Sequence, residues 1–150
     1  MAPRERRRNR EAGGAILEFA FSLALGLTVL FGIIDIGRAL YAYDWVSNAA
    51  RIGTRFAMVR GALTCQKLPG GCPATADDVT NYLKGMAVGI DTGKLTVTTK
   101  CYVTANIASD PPCAPRTWVN VRVLYTFEFV SPFIPLSWDM KSTSQVVVQH

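Results

Sequence analysis

The chain has 150 residues, 49% of them apolar, and a formal net charge of +5. That length holds one globular domain plus an anchor at most. The basic excess is too local for a nucleic-acid surface: Arg4, Arg6, Arg7, Arg8 and Arg10 stand against Glu5 and Glu11, so +3 of the +5 lies in residues 1–13. A short arginine cluster beside an apolar run is better explained by membrane orientation, because cytoplasmic flanks are enriched in Lys and Arg.

Residues 1–13 read as a disordered basic leader. From Ala12 to Ile34 the only charge is Glu18, and Phe19 to Ile34 carries none. About 20 apolar residues span a bilayer core, so residues 14–35 read as a transmembrane helix. The run is long for a secretory signal core of about 7–15 residues. The small residues near Ala39 and Ala42 are interrupted by Leu40 and Tyr41 and lie too far downstream for a signal-peptidase site. A carboxylate at the bilayer centre costs about 2.5–3.5 kcal/mol on insertion scales, which makes an intramembrane carboxylate a functional candidate. Position alone would also let Glu18 snorkel to the cytoplasmic interface.

The helical pattern does not stop at the membrane. Between Asp35 and Arg60 there is no proline, and Ile36, Ala39, Leu40, Tyr43, Val46, Ala50, Gly53 and Ala57 recur at helical spacing. Asp44, Asn48, Arg51 and Arg55 take another face, as in an amphipathic helix. A single helix from Gly14 to about residue 60 would be roughly 70 Å long. Tyr41, Tyr43 and Trp45 resemble an interfacial aromatic belt, with core packing the competing reading for Tyr43.

Residues 61–75 form a loop around Pro69-Gly70-Gly71-Cys72-Pro73. Thr75 followed by Asp77 and Asp78 opens a short helix reaching about Val88. Lys94 to Thr104 suits a half-exposed strand. Arg116 to Val130 is the strongest strand, with Val119, Val121, Val123, Tyr125, Phe127 and Phe129 alternating with more polar residues. Ser131 to Leu136 is an apolar loop with two prolines, and Ser142 to Gln149 closes a three-stranded antiparallel sheet. The second half of the long helix is the obvious cover for the apolar face of that sheet. The expected fold class is α+β.

Four cysteines, Cys65, Cys72, Cys101 and Cys113, lie beyond the span. An even count outside the cytoplasm points to two disulfides, and the spacings do not match zinc knuckles. Three connectivities exist; Cys65–Cys72 and Cys101–Cys113 are favoured because each closes a local Gly/Pro-rich loop. No catalytic constellation is evident. The only histidine is the terminal His150, the carboxylates are scattered, and Asp77-Asp78 is most simply a helix N-terminus. The sequence therefore implies no enzyme activity, cofactor or metal.

Three segments together resemble the TadE-like minor pilins (pseudopilins) of the tight-adherence, or Flp, type IV pilus system. They are Gly13-Gly14-Ala15-Ile16-Leu17-Glu18-Phe19, Leu30 to Ala39, and Asn48 to Arg55. Two departures are Gly26, in a region that often holds a proline there, and Asp35, where a glutamate is commoner. The resemblance implies a pilin-like layout with residues 36–150 as the extracytoplasmic domain. It implies prepilin-peptidase cleavage between Gly13 and Gly14, with Glu18 and Phe19 setting assembly and register. Implied partners are other pilins, the prepilin peptidase, the inner-membrane platform with its ATPase, and the lipid bilayer. The implied location is the inner membrane, single-pass, N-terminus cytoplasmic, with possible incorporation into an adhesive surface pilus. The alternatives are an uncleaved single-pass envelope binding or sensor domain and a secreted, disulfide-stabilised enzyme.

Overall fold

The protein is described here by a computed structural model covering residues 4–61, 73–104, 107–130 and 137–148. It has the α+β architecture expected: a long N-terminal helix whose later turns pack on a four-stranded antiparallel sheet. Helix α1 runs Arg4–Val59, 56 residues without a break. It starts ten residues earlier than the pattern predicts, so residues 4–13 are helical and not disordered. Arg, Glu and Ala are good helix formers, and extending an existing helix adds one hydrogen bond per residue without a new nucleation cost. The described residues fall into two bodies. One holds α1 up to Arg38 together with Phe129 and Val130; the other holds Ala39 to Glu128 and the last strand.

In the second body, α1 buries Ala42, Val46, Ala49, Ala50, Gly53, Thr54 and Ala57. The period is helical, but the stripe is offset from the expected one. Leu40 and Tyr43 are exposed, Tyr43 at 61%, so the core reading of Tyr43 is wrong. The stripe is made of small residues because the sheet approaches closely. A Cβ on Gly53 would lie 3.0 Å from Leu83 Cδ1 and 3.1 Å from Val121 Cγ1. Thr54 is buried but satisfied, donating to Ala50 O at 2.7 Å and to Ser144 O at 3.3 Å.

Helix α2, Ala76–Gly85, ends three residues before the expected limit. It begins in a capping box. Asp78 N donates to Thr75 Oγ1 (3.2 Å), while Thr75 N and Thr75 Oγ1 donate to Asp78 Oδ2 at 2.9 and 2.8 Å. Val79 and Leu83 are its buried residues. The Phe56 ring stacks on Tyr82 at 4.3 Å, and the Arg60 guanidinium covers Phe56 at 4.1 Å. After α2 the chain turns at Gly89, whose φ of +70° is one that L side chains rarely adopt.

A 3-10 turn at Thr92–Lys94 leads into β1, Leu95–Thr104. The sheet order is β2-β1-β3-β4, with β3 Trp118–Glu128 and β4 Ser137–Val147. Strand β2, Ile107–Ser109, was not foreseen. Its three residues are too few to show a period, and it exists by pairing with β1 across a register shift. Strand β4 begins five residues earlier than predicted. Ser137 to Lys141 lacks a clear apolar alternation, yet it pairs residue for residue with Leu124–Glu128. In β3 the alternation holds as read: Val119, Val121, Val123, Tyr125 and Phe127 are buried. Phe129 falls outside the strand, in the other body.

Two measurements follow from this packing. Gly53→Leu should destabilise the domain by about 1–3 kcal/mol through overpacking, read by denaturant unfolding of the full chain in detergent; unchanged stability would contradict the close approach. The Thr75 backbone N–H, and then its hydroxyl, hold the Asp78 carboxyl below its ordinary pKa. Its folded-state pKa lies below the unfolded value, so ionised Asp78 supports α2 above the ordinary carboxylate range. That support is lost as pH falls through the folded value. Amide-exchange protection of Val79–Leu83 should therefore drop on acidification, and Asp78→Asn should flatten the dependence.

Candidate functional site

The candidate site is the apolar stretch of α1 that starts at Gly14. From Gly14 the helix is long and apolar enough to cross a membrane, and only 6% of its most apolar stretch is buried. The core helix of a soluble protein would be mostly covered, so this surface matches a lipid or a partner helix. Apolar residues point in all directions: Ile16, Leu17, Phe19, Phe21, Leu23 and Leu25 are all exposed. A helix apolar all round belongs in a membrane or inside an assembly. Thr28 is no exception, because its hydroxyl donates to Ala24 O at 2.8 Å, within the helix. Side chains added at Gly14, Gly26, Gly32 or Gly37 would meet nothing within 4 Å. Packing among the described residues does not require these glycines.

Gly13 and Gly14 lie within continuous helix. Glu18 follows one turn later, exposed, with Phe19 beside it at 67% exposure. Among the described residues Glu18 has no hydrogen bond and no ion pair. The structure thus brings Gly14, Glu18 and Phe19 together on one exposed stretch of helix, without a partner among the described residues.

At the other end of the apolar run sits a second carboxylate, Asp35, where a glutamate is commoner in the resembling family. It is 3% exposed. Its Oδ1 accepts the Val130 backbone N–H at 3.0 Å and Arg38 Nη1 at 3.2 Å. The available signal was a lone aspartate at the end of an apolar run followed by arginine three residues on. What sequence could not supply was the Val130 donor, 95 residues downstream.

Cys101, in β1, is bonded to Cys113, after β2. Lys100 Nζ, next to it, donates to Asp110 Oδ1 at 2.6 Å, and this hydrogen bond raises the lysine's pKa above its ordinary value. Cys65 and Cys72 lie outside the described residues. Between α1 and α2 a cavity of about 220 Å³ is lined by Trp45, Asn48, Ala49, Ile52, Leu83 and Met86. Its lining offers one amide and otherwise apolar surface, which suits packing rather than reaction chemistry. Among the described residues no cluster of His, Cys, Asp and Glu is arranged to hold a metal.

Fold and site together define a protein with one long apolar N-terminal helix, fit for a single membrane pass, carrying an α+β domain. Residues 13–55 match the model of the TadE-like protein family, so that segment is similar to TadE-like proteins. The match starts at Gly13 and covers the apolar run, Asp35 and the small-residue stripe through Thr54. The match suggests a role in the Tad/Flp pilus system. No curated protein and no solved structure matches the chain.

The observed disulfide closes a short loop at the sheet edge, a sequence separation of 12. Cys113→Ser should cost about 2–4 kcal/mol, largely by freeing the unfolded chain. Denaturant midpoints of the full chain in detergent, with and without reductant, would measure it; equal midpoints would count against the bond's contribution.

Proposed function

We propose that the protein is a minor pilin, or pseudopilin, that takes part in assembling or priming a Tad/Flp pilus used for surface adhesion. In this reading residues 1–13 are a cytoplasmic leader, 14–35 span the inner membrane, and 36–150 form the extracytoplasmic domain. The arginine-rich leader favours that orientation. Prepilin peptidase cuts after Gly13, leaving a free amine at Gly14, and the assembly platform with its ATPase moves the subunit into the fibre or its initiating complex.

The observation that supports the reading is Glu18, exposed on an apolar helix with no partner among the described residues. A carboxylate and an amine are each costly in lipid, and pairing them between neighbouring subunits removes much of the cost. Apolar packing along the helix has little axial preference. A charge pair four residues from the new N-terminus supplies one, and Phe19 packs beside it.

In a host with the cognate peptidase, Glu18→Leu should be cleaved after Gly13, inserted and folded, yet fail to co-purify with partner pilins. Intact mass reads the cleavage, and recovery on the pilus machinery reads assembly. Normal pilus output at wild-type protein level would reject the pairing. A wild-type chain retaining residues 1–13 would instead favour an uncleaved envelope anchor.

A further inference from the structure

The segment that follows β3 holds a contact the pilus role does not use. Asp35 Oδ1 accepts the Val130 N–H at 3.0 Å, which pins the chain after β3 to the helix where the apolar run ends. Residues 14–34 make about 31 Å of helix at 1.5 Å per residue, against a hydrocarbon core of about 30 Å. Asp35 therefore lies at the outer boundary of the bilayer. The carboxylate is buried all the same, with Arg38 as its second donor, its side chain about half exposed. Whatever covers Asp35 stands at the lipid boundary too. Val130 is held there by its own backbone, with its side chain 57% exposed. No charge occurs from Phe129 to Trp138 in the sequence.

We propose that the Phe129–Val130 segment is a second membrane contact, set into the outer interface of the bilayer beside the spanning helix, with Asp35 as its positioning residue. The occupant of the exposed Val130 surface is lipid. An exposed aliphatic side chain fixed at that depth meets acyl chains rather than water. The Val130 N–H would be costly to leave unpaired there, and Asp35 accepts it. Asp35 in turn is neutralised by Arg38, whose guanidinium sits one helical turn further out, at the level of the headgroups. The proposal rests on the single-pass reading of α1.

The test is photocrosslinking of the full chain in phosphatidylethanolamine/phosphatidylglycerol vesicles. Benzoylphenylalanine replaces Val130, Leu25 in the spanning helix, or Trp118 on the solvent-facing side of the sheet, one position at a time. Lipid adducts are read by mass spectrometry. The expected result is lipid adducts at 130 and 25 in clear excess over 118. A yield at 130 no higher than at 118, with 25 labelled, overturns the proposal, as does a protein adduct at 130 in place of lipid. Absence of adducts at 25 defeats the spanning reading itself and the proposal with it. Asp35→Ala should abolish the adduct at 130 while leaving that at 25, and Asp35→Asn, which keeps an acceptor oxygen, should restore it. Full labelling of 130 in Asp35→Ala overturns the positioning role.

Discussion

One unbroken helix has to satisfy two different surroundings, and the rest of the structure follows from that constraint. From Gly14 to Ile34, α1 is apolar almost all round, and little of it is buried among the described residues. From Ala42 onward it buries only one side, a stripe of mostly small residues, against the sheet. Hydrogen bonds internal to the helix satisfy the backbone in either setting, so the segment can pass from one to the other without a break. What changes along it is only the side-chain pattern.

The small-residue stripe determines the form of the domain. Ala42, Ala49, Ala50, Gly53 and Ala57 leave little volume on the helix, so the volume of the core comes from the partners. Val119, Val121, Val123 and Phe127 supply it from β3, and Val79 and Leu83 from α2. The paired strands β1 and β4 hold β3 in the middle of the sheet, where it lies nearly dry on one face. Close packing at Gly53 makes that point the least tolerant of added atoms.

Glu18 and Asp35, at the two ends of the apolar run, are handled in opposite ways. Asp35 is covered by donors from its own chain, while Glu18 is exposed and has no hydrogen bond or ion pair among the described residues. A charge satisfied internally serves the fold of the subunit. One left unsatisfied in an apolar setting is stable only with a partner from elsewhere, which is the physical basis for giving Glu18 a role between subunits.

Much of this was legible in the residues. The apolar run, Glu18, the capping signal at Thr75 and the alternation of β3 each follow from short-range patterns that local physics enforces: helical period, cap hydrogen bonding and the pleat. The same patterns gave the α+β class. Strand β2 and the start of β4 were not legible, because each is made by pairing with a neighbour rather than by its own apolar period. The offset of the buried stripe was hidden as well. Leu40 and Tyr43 are more apolar than Ala42 or Ala49, and only the close approach of the sheet selects the smaller side of the helix. Asp35 looked like a substitution of no consequence until the fold brought Val130 to it. Local sequence determined which segments are helix or strand and which stretch can enter a membrane. Tertiary structure decided which side of the helix is core and which carboxylate is satisfied, because both depend on atoms far away along the chain.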